Sequence, residues 1–519
     1  MRETADYLVA AAPYKGEHLG QSDLQDQGEV AMAGITKPRV TKIRRPLIGT
    51  GLVLALSVVA LAGCGQASKA APPARAGWST TGVSPVSQPV AVGDSVVVYV
   101  KSSSGLEIDG LNAASGRVLW THPASPSSVT PGEVPTVAVT DQLVDYFTPS
   151  SDGGTQIVAV EAATGKQVWA SPSAEFTSWP FACLSDSSAV CAVGSADGST
   201  TQLLRLDGTS GQILASPKIS GTSAGRSLGD GLFDPAQRNP EFLESVSGQA
   251  VTWKEKLAAA FPAPRLSTDG GWQFSRISSL GLYVGSVGDE APAPSRTWMV
   301  TTNLADSMTA GFRISNGAPA WQSAHTTYLC GELACPGETV NGEPKMGVRV
   351  LMSGTATNSA SAPTPKLSPD ATATLQGFDL KTGRTTWSYN LGHDAGFVEA
   401  QGAVPQVSAT QIVVPATDGS FKILNLTDGT TMAATPSVIA WCPKTVLYHT
   451  GSSYQSNNGV SSDQYVAANV YQACQPDGTV AATPKRVPAF LGTQYGTQFD
   501  GLTIWSAPGK VVAAPTGGG

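Results

Sequence analysis

The stretch FDLKTGRTTW, residues 378–387, decides how this chain is read. An apolar residue and an acidic one lead into Thr-Gly, and a tryptophan stands four residues beyond the glycine. Gly383 suits the positive-φ position that closes a tight hairpin, where a side chain would be strained. Four residues before it, Asp379 is placed to accept hydrogen bonds from the turn amides. Four residues after it, Trp387 offers a large apolar plate to a neighbouring sheet.

The pattern recurs along the chain. It reads LNAASGRVLW at 111–120, VEAATGKQVW at 160–169, LDGTSGQILA at 206–215 and LESVSGQAVTW at 243–253. FRISNGAPAW spans 312–321, LNLTDGTTMA 424–433 and ACQPDGTVAA 473–482. The aligned glycines are Gly116, Gly165, Gly211, Gly248, Gly317, Gly383, Gly429 and Gly478, spaced 37 to 69 residues apart. Asn112, Glu161, Asp207, Glu244, Asp379 and Asn425 hold the acceptor position, and Trp120, Trp169, Trp253, Trp321 and Trp387 the docking position. Arg313 and Cys474 depart from the first, and Ala215, Ala433 and Ala482 from the second. Between the motifs, β-branched runs such as SVVVYV at 95–100, and residues 156–160 and 411–414, read as strands bounded by turn signals. KEKLAAA at 254–260 is the one helix candidate.

A unit of roughly 50 residues fits a four-stranded propeller blade. The (D/N)xxTGxxxW pattern, clearest in Asp379–Trp387, resembles the pyrroloquinoline-quinone-type β-propeller repeat over about residues 78–517. The resemblance implies an all-β propeller of four-stranded blades, eight of them, with seven as the alternative. The tail at 499–512 reads as one more hairpin that pairs with the first blade and closes the ring. The same family includes quinone-dependent alcohol dehydrogenases, which resemble one another in an adjacent Cys-Cys disulfide, a Ca²⁺ held by carboxylates and a catalytic Asp. No Cys-Cys dipeptide and no Asp/Asn-rich calcium loop occurs in this chain. Gly221-Thr222-Ser223-Ala224-Gly225 matches GxSxG, but it lacks the strand-then-helix context of a nucleophile elbow. No catalytic, cofactor-binding or metal-ligating residue is therefore assigned, and no cofactor is expected.

The N-terminal region carries a different signal. Residues 37–45 (KPRVTKIRR) hold five positive charges, and the apolar run at 47–62 ends in Leu61-Ala62-Gly63-Cys64. Charged, apolar and small-residue segments in that order make a secretory signal. The run is short of the ~20 residues of a membrane span. LAGC resembles the lipobox of bacterial lipoproteins, which implies lipid attachment at Cys64 after cleavage before it. Residues 1–31 fit no export signal and read as a disordered gene-model extension, with Met32 as the start of a signal peptide at 32–63. Arg44-Arg45 weakly resembles a twin-arginine signal, and ordinary secretion is the plainer reading. Residues 64–77 are small, polar and Pro-containing, a flexible tether. Residues 353–373, rich in Ser, Thr, Ala and Pro, read as a disordered loop within a blade.

Composition narrows the function. Residues 64–519 carry 25 basic and 33 acidic groups with no basic stretch, which argues against nucleic acid. Gly and Pro together number 92, so turns are frequent and long helices improbable. Six cysteines follow Cys64: an even count in an exported chain favours disulfides, and proximity pairs Cys183 with Cys191, Cys330 with Cys335 and Cys442 with Cys474. The expectation is an extracytoplasmic lipoprotein, held to the membrane by its lipid. It acts as a non-enzymatic protein-binding or scaffolding module with an envelope protein as partner. The functional analogy is to the propeller lipoprotein of the outer-membrane β-barrel assembly machinery. The alternatives are a quinone-dependent enzyme and an extracellular ligand sensor.

Overall fold

The computed structural model describes residues 75–517, apart from 130–132, 141, 184–185, 196–201, 215–224, 229–241, 248–249, 263–265, 290–298, 331–332, 334, 338–342, 360–365, 394–403, 456–460 and 495. These residues are overwhelmingly strand, in nine sheets, and the chain folds as a β-propeller. Its sequence dictates this: β-branched runs alternate with glycine turns, and helical periodicity is scarce. The described α-helices are single turns, Leu257–Ala260 and Leu491–Gln494. The helix expected at 254–260 is present over its last four residues, while Lys254–Lys256 belongs to a strand. Ala250–Lys256 pairs with Phe242–Ser247, and only the last four residues coil.

The first two sheets follow one plan. The first orders Ser84–Pro85, Ser95–Ser102, Gly105–Asn112 and Val118–Pro123 from inner to outer strand. The second orders Ala138–Thr140, Leu143–Pro149, Thr155–Glu161 and Gln167–Ala170. In the first sheet the Asn112 turn, between the third and outer strands, lies at the same end as the turn leading into Ser95, since Ser95 pairs with Asn112. The connection between second and third strands lies at the other end, where Ser102 pairs with Gly105.

Period two explains how one strand serves two interfaces. Along Ser95–Ser102, Val97 and Tyr99 join a buried cluster with Val144, Tyr146 and Ile157 of the second sheet. The alternate residues Val96, Val98 and Val100 pack with Leu502, Ile504 and Val511 on the other side. A strand buried on both faces must be apolar throughout, which is why this one reads SVVVYV.

Ring closure joins the two ends of the described chain. The last sheet orders Gly496–Phe499, Leu502–Ala507, Lys510–Gly517 and Trp78–Thr81. Trp78 pairs with Ala513 and Thr81 with Lys510. The tail hairpin expected to meet the first blade instead receives the strand that precedes that blade. Trp78–Thr81 is therefore the outer strand of the final sheet, and no long sheet edge is left there.

Two connections between second and third strands are extended, and a long hairpin follows the seventh sheet. In the fifth sheet the segment between Leu282–Asp289 and Met308–Arg313 contributes Met299–Asn303. In the sixth, the segment between Gly347–Ser353 and Thr372–Phe378 contributes Thr355–Ser359 and Lys366–Leu367. These pieces pair with each other in an additional three-stranded sheet, Met299 opposite Ser359 and Asn303 opposite Thr355. Among the described residues of the stretch expected as a disordered loop at 353–373, most are therefore strand. Threonines lacking a core of their own find partners in a neighbouring insertion, as in the contact of Thr301 Oγ1 with Thr357 Oγ1 at 2.9 Å. The long hairpin, Ala440–Gln455 and Ser461–Cys474, follows the outer strand Thr431–Ala433 and joins the sheet where Trp441 pairs with Gln406. Its Val466, Ala468 and Val470 are buried in the cluster that holds Tyr99 and Trp179.

Trp78→Ala removes an indole from the closure. Its loss is expected to cost about 2 kcal/mol, somewhat under the range for a fully buried aromatic because the ring is partly buried, and to lower the thermal unfolding midpoint of the full chain. Ser79→Ala on the same strand serves as control, and equal midpoints for the two variants would show that closure does not rest on Trp78.

Candidate functional site

The repeat residues meet across the junctions between sheets. Trp120 Nε1 donates to the Ala162 carbonyl at 2.8 Å, and Trp169 Nε1 to Gly208 O at 2.8 Å. Trp253 reaches Ile314 O at 2.7 Å, Trp321 reaches Leu380 O at 2.9 Å, and Trp387 reaches Leu426 O at 2.9 Å. Each acceptor is the residue just after the acidic position of the following motif. The indole face then covers the turn glycine. A Cβ on Gly165 would stand 2.6 Å from the Trp120 ring, and one on Gly211 2.3 Å from Trp169. Gly317, Gly383 and Gly429 sit equally close under Trp253, Trp321 and Trp387. These glycines have φ between 69° and 73°, so both conformation and space exclude a side chain.

The peptide that accepts the indole is held from its other side too. The Ala113 amide donates to Asp94 O at 2.9 Å, Ile314 N to Gly281 O at 2.9 Å and Leu426 N to Thr410 O at 2.7 Å. In these motifs one residue thus ties its own two turns together and receives the tryptophan of the preceding sheet.

A sixth seat escapes the sequence pattern. Trp78 Nε1 donates to Ala113 O at 2.9 Å, and its ring covers Gly116, which has φ 70°. Ala74 stands four residues before Trp78 where the motif would have its glycine, and the sheet of Trp78 is completed by the tail. A second glycine position was also overlooked. A Cβ on Gly110, Gly311 or Gly377 would lie 2.1, 2.6 or 2.0 Å from the indole of Trp120, Trp321 or Trp387 in the same sheet. The signal was legible as a glycine two residues before the acidic position.

The acidic position acts locally. Asp379 Oδ1 accepts from Thr382 N at 2.8 Å and Thr382 Oγ1 at 2.7 Å. Asp207 does the same for Thr209 and Ser210, and Asn112 for Ser115. Side-chain acceptance is dispensable, since Arg313 closes the same backbone turn through Gly317 N to Arg313 O at 2.9 Å. Glu244 does not take this role. It is 3% exposed and pairs with Lys254 Nζ at 3.0 Å across the strand pair that ends at Ser247. Gly478 does not belong to the series. Its turn bonds Gln475 N to Thr479 O, one residue shorter than Asn425 N to Thr430 O, and no ring lies over it. Gly248 and Ala215 fall outside the described residues, as do residues 221–224 of the GxSxG match and Cys64.

Three disulfides join Cys183 to Cys191, Cys330 to Cys335 and Cys442 to Cys474, with Cα separations of 5.2, 5.3 and 5.8 Å. The last ties the base of the long hairpin.

The ionisable groups that stand out are enclosed. Asp145 is 0% exposed, takes a hydrogen bond from Thr140 Oγ1 and has no partner on Oδ1 among the described residues. Burial pushes its carboxyl up to about 8, against the pull of Thr140. Asp109 is raised by burial as well, opposed by Thr121 Oγ1 at 2.6 Å. Arg349 is buried over the Phe378 ring at 4.7 Å and donates to Gln376 Oε1 and Thr385 Oγ1, each at 2.9 Å. Burial lowers it to about 10. No group of three potential metal ligands gathers among the described residues. Buried carboxyls beside hydroxyls and backbone hold a fold together; they offer no open position at which a substrate atom meets both an acid and a base.

A family model described as outer membrane protein assembly factor BamB matches residues 5–322 of the chain. No curated protein matches it. Among solved structures, the BamB of Moraxella catarrhalis is 14% identical, covers 83% of this chain and 99% of its own, and has a TM-score of 0.29. The quinohemoprotein alcohol dehydrogenase of Comamonas testosteroni is 14% identical, with coverages of 86% and 69% and a TM-score of 0.30. The Dos1 propeller is 10% identical, with coverages of 86% and 96% and a TM-score of 0.35.

The Asp145 carboxyl supplies a test by pH. Unfolded, it titrates near ~4; folded, near about 8. Between these values the folded chain keeps a proton that the unfolded chain has released. Its stabilising contribution is whole below the lower value and is lost as pH rises through the upper one. Asp145→Asn abolishes that titration. Its thermal midpoint relative to the parent is expected to climb between about pH 4 and about pH 8, and a flat difference would show that Asp145 is not held protonated.

Proposed function

Since the chain belongs to the β-propeller family whose model is described as outer membrane protein assembly factor BamB, we propose that it is a non-enzymatic protein-binding module of the cell envelope, lipid-anchored through Cys64. The observation that carries the reading is the family match across residues 5–322, more than half of the 519-residue chain. Each of the eight successive sheets is taken as one blade, and residues 78–517 as the propeller. The export signal at 32–63 and the tether at 64–77 support an extracytoplasmic setting. The paired cysteines agree with an oxidising compartment.

The chemistry of the described residues fits binding better than turnover. Six of the eleven tryptophans, the docking residues, are spent between sheets rather than presented to a sugar. Each disulfide spans at least five residues, unlike the adjacent Cys-Cys pair of the quinone enzymes. A propeller whose junctions are locked by indoles is a stiff platform, and stiffness lowers the ordering cost of association.

The test is chemical crosslinking of the full chain in intact membranes, followed by affinity recovery. One envelope protein in stoichiometric amount is the expected catch, with release of the chain from membranes by Cys64→Ala. Recovery of no partner, together with saturable heat on titration with pyrroloquinoline quinone and Ca²⁺, would replace this reading with the enzymatic one.

A further inference from the structure

One buried charge is not needed by the packing around it. Arg349 lies in the second strand of the sixth sheet, Gly347–Ser353, opposite Gln376 of the third strand. Gln376 stands three residues before the acidic position Asp379, so the same place is identifiable in other sheets. There it holds Val98 opposite Asp109, Tyr146 opposite Val158 and Ala192 opposite Leu204. Gly285 opposite Ala310 and Val414 opposite Lys422 complete the set. Five sheets build this part of a blade with an uncharged residue, so the strand itself does not call for a guanidinium.

The surroundings of Arg349 leave its charge unbalanced. The side chain is 3% exposed. Residues paired across strands share a face, so Arg349 and Gln376 point the same way as Gly347 and Phe378. That face meets the fifth sheet, since the Trp321 and Phe378 ring centres lie 5.5 Å apart. Nε donates to Gln376 Oε1 and Nη2 to Thr385 Oγ1, and the guanidinium carbon lies over the Phe378 ring. All three partners are neutral. Nη1 is enclosed without a hydrogen-bond partner, and Arg349 makes no ion pair among the described residues. Burial lowers its pKa only to about 10, so it is cationic at neutral pH. A cation enclosed by apolar and neutral groups is unfavourable unless it is paired.

We propose that Nη1 of Arg349 is the seat of one small inorganic anion, of chloride size, at the junction of the fifth and sixth sheets. An anion supplies both a partner for the Nη1 hydrogens and a counter-charge. A water molecule supplies only the first. The enclosure sets the size, because the further oxygens of a phosphate would need donors of their own. Thr385, which receives Nη2, is exposed in the outer strand, so the path from solvent is short. Lys381 and Arg384 in the adjoining turn are exposed and favour an anion on that path. The Asp379 carboxylate of the same turn is engaged by Thr382. The ion is structural: it neutralises a buried cation and stiffens one junction of the ring.

The thermal midpoint of the full chain, followed in sodium chloride and in sodium gluconate of equal ionic strength, provides the test. An ion that binds only the folded chain stabilises it by mass action. Chloride is expected to raise the midpoint by several degrees and to saturate, and bromide to do the same. Gluconate, too large for the seat, is expected to do neither. Arg349→Gln removes the charge, and with it the difference between the salts. Equal midpoints of the parent in chloride and gluconate overturn the proposal. So does a saturable chloride effect that Arg349→Gln leaves intact. If Arg349→Gln does not fold, Arg349→Lys keeps the charge without the planar fork. Its half-saturating chloride concentration is then expected to rise several-fold, and an unchanged one overturns the seat.

Discussion

The structure depends on an indole lying over a glycine. At six junctions a tryptophan of one sheet covers the turn glycine of the next and bonds the peptide beside it. The glycine is required twice, because its φ is positive and because the ring occupies the space of a Cβ. The bonded peptide also reaches back to the adjacent turn of its own sheet in several motifs. Apolar strands alone would pack sheets face to face in many registers. This contact selects one, because a buried indole N–H has to meet a carbonyl that only a particular turn presents.

The fold was largely legible because this contact leaves a linear signature. Glycine and tryptophan four residues apart, with a turn acceptor upstream, repeat along the chain. Where sequence reasoning failed, the cause was spatial. Trp78 carries the docking role without a preceding glycine turn, because ring closure brings its partner strand from residues 510–517. Gly478 carries the signature without the role, because its turn is one residue shorter and the strand before it lacks tryptophan at Ala433. Glu244 occupies the acceptor position but is drawn into a cross-strand pair with Lys254. The Thr-rich insertion looked unstructured since its pairing partner lies more than fifty residues upstream.

The site of function was less legible, for a related reason. Docking residues repeat, so they announce themselves; a surface that recognises one partner is built from unrepeated residues on separate loops. The buried ionisable groups do not fill the gap. Asp145 and Arg349 are enclosed by apolar residues and neutral acceptors, and they stiffen sheets without meeting solvent. What the family match adds is a setting in which a stiff propeller is useful as a platform.

The central claim is that each turn glycine exists to seat an indole, and a double-mutant cycle at one junction tests it most directly. Gly165→Ala, Trp120→Ala and the double variant are compared by denaturant unfolding of the same cooperative transition. In the parent background Gly165→Ala is expected to cost about 3 kcal/mol or more, from backbone strain and collision with the ring. Without the indole only the strain remains, about 1 kcal/mol, giving a coupling of about 2 kcal/mol. Additive costs within about 0.5 kcal/mol would contradict the account, and the glycine would then serve its turn alone.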